Sequence, residues 1–271
     1  MTEIVSATLR LYRDALSATV RSLARGWMAI IAVIVFAGLM VVAGQLAAPL
    51  GFVGGFILGA VNALVIGATL SLIQQAIFDT RPMTIQDVWD SVGRYFWDVI
   101  GVGFVLWVPM LLLERGMAAN PQGPLIGAAI FLLLFILLNP APEVIYQVRH
   151  ESPLDVLRES YEFVVENWIE WFLPLAVILA PLGLSFFFGL TSRLGRGAGL
   201  DFFQILALPF MLLTVWFGYL GIPSESGWLL LMILTPPAAV AMLLFRGHLF
   251  AALRGSSRRQ RMFRQRFTQD Q

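Results

Sequence analysis

The sequence predicts an all-α integral membrane protein, a polytopic helical bundle of six transmembrane helices. Three observations lead there. The chain of 271 residues is 58% apolar and only 13% charged, where a soluble domain carries about a quarter charged residues. Apolar stretches at 27–48, 52–77, 96–113, 125–148, 168–190, 202–220 and 228–250 are of the size that a hydrocarbon core about 30 Å thick requires, roughly 20 residues per helix. The phrase "LNPAPEVI" at 138–145 returns as "LTPPAAVA" at 234–241, which points to an internal repeat.

The elements follow in order. Val5, Leu9, Tyr12, Leu16, Val20 and Leu23 recur at helical spacing, with Arg10, Asp14, Arg21 and Arg25 opposite. This is the pattern of an amphipathic helix lying in the interface plane. It is too polar for a cleavable signal peptide, and the apolar run after it is too long for one. Trp27 opens that first run, and Asn62 marks the second. A second amphipathic segment follows, with Ile85, Val88, Trp89 and Val92 against Asp87, Asp90 and Arg94; Trp97 then opens a span, and Asn139 marks its partner. The third segment sets Leu154, Leu157, Tyr161, Val164 and Trp168 against Asp155, Arg158, Glu159, Glu162 and Glu166; Thr235 marks its second span. The expectation is a single membrane domain of three amphipathic-helix-plus-hairpin units, about 1–80, 81–150 and 151–253, with an arginine-rich cytoplasmic tail over 254–271. Trp27, Trp97 and Trp168 fit an aromatic belt at the headgroup level.

The third unit is longer by about one apolar segment, 202–220. The positive-inside rule places it. With six crossings and the amino terminus inside, 15 arginines lie inside and 3 (Arg115, Arg193 and Arg196) outside. With seven crossings the tail moves out and the division becomes 8 against 10. Six crossings is therefore expected, with both termini cytoplasmic in a bacterial inner membrane. Segment 202–220, interrupted by Pro209, becomes an extra interfacial or re-entrant helix. A plain seventh span is the alternative.

Glu143 is the ionisable residue of most interest, because it lies in an apolar span, where a charge is functional by default. It is placed to bind a cation, to relay a proton, or to pair with an arginine such as Arg149 or Arg246. Pro140 and Pro142 beside it, and Pro236 and Pro237 in the third unit, predict helix kinks. Glu143, Asn62, Asn139 and Thr235 form the candidate polar cavity; interhelical hydrogen bonding is the competing reading of the three small polar marks. Ala239 stands where the third unit would need a glutamate, so the site is not threefold. Gly51, Gly55 and Gly59 would permit close helix packing within the chain or between chains. Arg254, Arg258, Arg259, Arg261, Arg264 and Arg266 are expected to meet anionic lipid headgroups on the cytoplasmic face.

Other chemistries are excluded or unsupported. Cysteine is absent, which removes disulfides, thiol catalysis and thiolate metal sites. His150 and His248 are the only histidines and sit in no metal-binding spacing motif. No nucleophile elbow, phosphate-cradling loop or zinc-protease motif occurs. No cofactor, metal or nucleic acid is expected, and no catalysis. The Trp-bearing lead-ins "RGWMAII", "RYFWDVI" and "ENWIEWF", the proline-marked spans and the close "HLFAALRGSSRRQR" resemble a broad group of bacterial polytopic proteins. That group includes the membrane domain preceding some glycerophosphodiester phosphodiesterases. The resemblance implies an α-helical membrane bundle and supplies no catalytic residues. The expected function is to handle a lipid or small amphiphile, or to support a membrane complex through a protein partner or a second copy. A secondary transporter coupled through Glu143 is the alternative, and an intramembrane enzyme a third.

Overall fold

The computed structural model describes residues 2–117, 122–180 and 204–254. These form ten α-helices and, among the described residues, no strand. In chain order they are α1 Thr2–Arg25, α2 Met28–Ala47, α3 Gly51–Phe78, α4 Ile85–Ser91, α5 Phe96–Met117, α6 Gly123–Leu137, α7 Ala141–Gln147, α8 Pro153–Leu179, α9 Gln204–Tyr219 and α10 Ser224–Arg254. Among the described residues, four helical stretches are long and apolar enough to cross a membrane: Met28–Phe78, Phe96–Leu113, Leu125–Gln147 and Gly227–Arg254.

The first of these stretches is a hairpin. A single 3₁₀ turn, Ala48–Leu50, and Gly51 at φ 54° reverse the chain between α2 and α3. Gly is the residue that adopts such a φ without strain. At the far ends Gly26 lies against Ala76, and the Arg25 carbonyl accepts from the Met83 N–H at 3.2 Å.

Local chemistry sets the other boundaries. Asp87 reaches back to accept from the Thr84 N–H and hydroxyl, each at 2.8 Å. Asp155 does the same for Ser152, at 2.9 Å for both bonds. Thr-x-x-Asp and Ser-x-x-Asp are thus reciprocal caps for α4 and α8, and Pro153 occupies the first turn of α8, where its missing N–H costs nothing. Asn167, at φ −126° and ψ 19°, kinks α8 between its amphipathic and apolar halves. α9 ends in a Schellman turn: Gly221 stands at φ 68°, and Ile222 N–H bonds Phe217 O at 3.0 Å.

The packing has a pattern. α3, α7 and α10 lie against one another. Around them, α2 packs on α3 and α10, α5 on α3 and α6, and α8 on α7 and α10. The lead-in helix α1 packs on α10, and α4 on α3. Leu72, Ile73, Val99, Val102, Ile145, Leu244 and Phe250 form the tightest part of the core. The junctions converge on the same end: Tyr95 meets Gly67, His150 bonds Asp98, and Arg254 reaches Gln147. At the opposite end Leu46, Phe52, Val53 and Phe56 are more than half exposed, as lipid-facing residues would be.

The lead-in helices hold a surprise. Much of their bulky apolar stripe faces outward: Leu9, Leu16 and Val20 on α1, Ile85 and Trp89 on α4, and Leu154, Tyr161 and Trp168 on α8 are exposed, while Tyr12, Leu23, Val88, Leu157 and Val164 pack on the core. What they turn inward mixes core residues such as Val156, Phe163 and Val164 of α8 with small or polar ones. Ser22, Ser91 and Ser160 are each fully buried, with Ala15, Thr19 and Asp87 beside them. Small residues let backbones approach closely, and close approach is what drives helix association where lipid competes for apolar surface.

Candidate functional site

The break between α6 and α7 is the origin of the site. Pro140 and Pro142 lack an N–H, so the carbonyls of Ile136 and Leu138 lose their helical donors. The preceding residues take those roles: Asn139 N–H bonds Ile136 O at 3.4 Å and Ala141 N–H bonds Leu138 O at 3.0 Å. The tightened turn presents the Asn139 carbonyl and side chain to α10.

Arg246 of α10 fills that opening. Its Nε donates to Glu143 Oε1 at 2.7 Å and its Nη2 to Glu143 Oε2 at 2.9 Å. Nη2 also donates to the Asn139 carbonyl at 2.7 Å, and Nη1 to Asn139 Oδ1 at 2.9 Å. Four of the five guanidinium donors are therefore used. The Trp171 indole N–H, from α8, shares Asn139 Oδ1 at 2.9 Å. The Trp171 ring lies 4.8 Å from the guanidinium carbon, within cation–π range. The Glu143 side chain is 1% exposed and that of Arg246 12%. This is a bidentate, largely buried ion pair at the meeting point of α7, α8 and α10. Both carboxylate oxygens accept from Arg246, whose guanidinium already neutralises the charge that a cation would bind. One turn on, the Tyr146 hydroxyl is buried and has no hydrogen-bond partner among the described residues.

The structure thus brings together two of the four expected cavity residues, Glu143 and Asn139. Among the described residues no hydrogen bond joins Asn62 or Thr235 to them; the Thr235 hydroxyl is buried and unpaired. The chain is broken at Pro140 and Pro142, whereas α10 runs through Pro236 and Pro237 as one helix of 31 residues. His150 and His248 do not share a site: His150 Nε2 lies 3.2 Å from Asp98, and His248 Nε2 lies 3.0 Å from Ser22. No group of residues able to hold a metal occurs among the described residues. Arg254 bonds the Gln147 carbonyl at 3.4 Å and stands 3.9 Å from Glu159. Arg258, Arg259, Arg261, Arg264 and Arg266 lie outside the described residues, as do Arg193 and Arg196.

Two polar tethers support the frame. The Tyr12 hydroxyl donates to the Glu170 carbonyl at 2.8 Å, holding α1 to α8. Burial, with the Glu170 charge nearby, pushes that phenol up to about 12, so it remains a donor. Arg81 grips Asp87 through both terminal guanidinium nitrogens. The Arg81 hydrogen bonds, with further bonds from Thr84, hold the Asp87 carboxyl down at about 2. Trp171 and the two caps escaped the sequence reading. The caps had a signal, Ser/Thr followed three residues later by an acid; Trp171 had only its place in "ENWIEWF".

No family model, curated protein or solved structure matches the chain.

Proposed function

We propose that the chain is a six-crossing inner-membrane protein, built of three repeats, that handles a lipid or small amphiphile or supports a membrane complex without catalysis. The crossings in this reading are α2, α3, α5, α6 with α7, the apolar half of α8, and α10. α9 is then the extra outer helix, and both termini are cytoplasmic. Cyclic packing supports the repeat. Each first span lies on its own second span and on that of the preceding unit: α2 on α3 and α10, α5 on α6 and α3, α8 on α10 and α7. The lead-ins obey the same rule, α1 on α10 and α4 on α3.

One observation carries the lipid-directed reading. All three lead-in helices expose bulky apolar residues away from the bundle, among them Leu16, Trp89 and Leu154, and Trp27, Trp97 and Trp168 are all more than half exposed beside them. Such faces suit contact with acyl chains and headgroups at the interface. The coupled-transporter alternative loses support from the state of Glu143, whose charge is paired bidentately with Arg246. The likeness to the membrane domain of glycerophosphodiester phosphodiesterases belongs to this proposal and rests on sequence features alone.

The test uses the full chain in vesicles loaded with a fluorescent amphiphile or lipid analogue. A Glu143→Leu/Arg246→Met double variant removes both charges together. Movement or retention of the analogue is expected to survive in that variant. Dependence of movement on a proton or sodium gradient, lost in the double variant, would establish the transporter instead.

A further inference from the structure

Beside the buried ion pair, at the end of the bundle where the junctions converge, lies an open cleft of about 880 Å³. Its walls come from the ends of α3 and α7, the start of α5 and the first turns of α8. Three backbone carbonyls here are already engaged. The Tyr146 carbonyl accepts from Gln74 at 2.8 Å, that of Gln147 from Arg254, and the Val148 carbonyl lies 3.0 Å from His150 Nδ1.

The side chains are different. Asp98 is paired with His150, Asp155 is consumed by its cap on Ser152, and Arg158 is paired with Glu162. Glu159 stands 3.9 Å from Arg254, so among the charged side chains lining the cleft those of Arg149 and Glu151 alone have no partner among the described residues. They carry opposite charges, flank His150 in sequence, and are exposed. Trp97, the residue before the cleft-lining Asp98 in the chain, is 76% exposed, which sets the cleft near the level of the interface tryptophans.

We propose that this cleft binds a phosphoethanolamine group, with the phosphate on Arg149 and the ammonium on Glu151, and that its source is an aminophospholipid in the adjoining leaflet. A purely anionic headgroup would satisfy Arg149 and leave Glu151 facing a like charge. A trimethylated ammonium has no N–H to give the carboxylate. The volume accommodates a headgroup and glycerol, and the exposed Trp97 gives the acyl chains an apolar neighbour. The inference rests on the lipid-directed reading above and narrows it to one headgroup chemistry.

Native mass spectrometry of the full chain in mild detergent tests it. Phosphatidylethanolamine, phosphatidylcholine and phosphatidylglycerol with identical acyl chains are added in turn. Phosphatidylethanolamine is expected to be retained about tenfold better than either, the scale of one charge-assisted hydrogen bond. An Arg149→Gln/Glu151→Gln double variant is expected to erase the preference while its thermal unfolding is unchanged, since neither side chain supports the fold. Competition by free phosphoethanolamine at the concentration of the lipid would keep the cleft and overturn the membrane source. Equal retention of the three lipids, or an undiminished preference in the double variant, would overturn the site. If lipid analogue still moves or is retained in vesicles after that failure, the broader reading stands and only the cleft assignment falls; if neither occurs, both fall.

Discussion

Arg246 donates to Glu143, to the Asn139 side chain and to the Asn139 backbone. The pair is therefore best seen as a bolt between α7 and α10. A buried pair adds little to stability relative to well-packed apolar residues, because desolvation cancels much of the attraction. Removing one partner is another matter. Glu143→Leu alone leaves a guanidinium uncompensated in the interior and is expected to cost about 3–5 kcal/mol. The Glu143→Leu/Arg246→Met double variant is expected to regain most of that loss. Denaturant titration of the four species in detergent measures the coupling, and simple additivity would show that the two charges do not depend on each other. Asp87 gives a pH-dependent counterpart. Its carboxyl titrates at about 2 against an ordinary value of 3.8, because Arg81 and Thr84 stabilise the charged form. A depressed value stabilises the fold above the unfolded value and loses that contribution as pH falls through the folded one. The difference in melting temperature between the native chain and Asp87→Asn is therefore expected to be constant near neutrality and to shrink between pH 4 and 2, a window set by those two values.

The helices were readable because apolar periodicity and helix punctuation survive in a membrane protein. The lead-ins at 5–23, 85–92 and 154–168 became α1, α4 and the first half of α8. The direction in which they face was not readable from periodicity alone. An apolar stripe marks the inward face only where water lies outside; in lipid the bulky side can face out, and the small side can pack. On α1 this distinction predicts an inversion of the usual mutational pattern. Ser22→Leu pushes a large group into a fully buried position and is expected to destabilise by about 1–3 kcal/mol. Leu16→Ala, on the exposed stripe, is expected to change unfolding little but to weaken vesicle association. Equal destabilisation by the two would place the bulky stripe inside after all. At the start of α8, Ser152→Ala removes the hydroxyl that accepts from Asp155 N–H at 3.3 Å; a lost N-cap costs about 1 kcal/mol, readable as a lowered melting temperature. The break at Pro140 and Pro142 was foreseeable from missing donors. The identity of what fills it was not, since Arg246 and Glu143 are 103 positions apart and sequence offered Arg149 equally.

At the scale of the molecule, the proposed three-unit order and the arginine distribution both have every hairpin open toward the same side. The described ends agree geometrically: Gly26 with Ala76, Asp98 with His150, and Gln147 with Arg254 all meet at one end. The role of α9 is the remaining degree of freedom. If α9 crosses, the turn at Leu220 and Gly221 lies on the same side as α4; if it does not, that turn lies on the opposite side, with the α5–α6 connection. The absence of cysteine makes this directly measurable, because any introduced thiol is the only one. Single cysteines at Gln86 and Glu151 are expected to react with an impermeant maleimide only after the membrane is opened. Those at Gln122 and Leu220 are expected to react in intact cells. Protection of Leu220 alongside Gln86 would make α9 a true span, move the carboxyl-terminal arginines to the outer face, and break the threefold order. Labelling as expected would leave α9 as an addition to the outer rim of a six-crossing bundle, and would put the cleft between α5, α7 and α8 on the cytoplasmic leaflet.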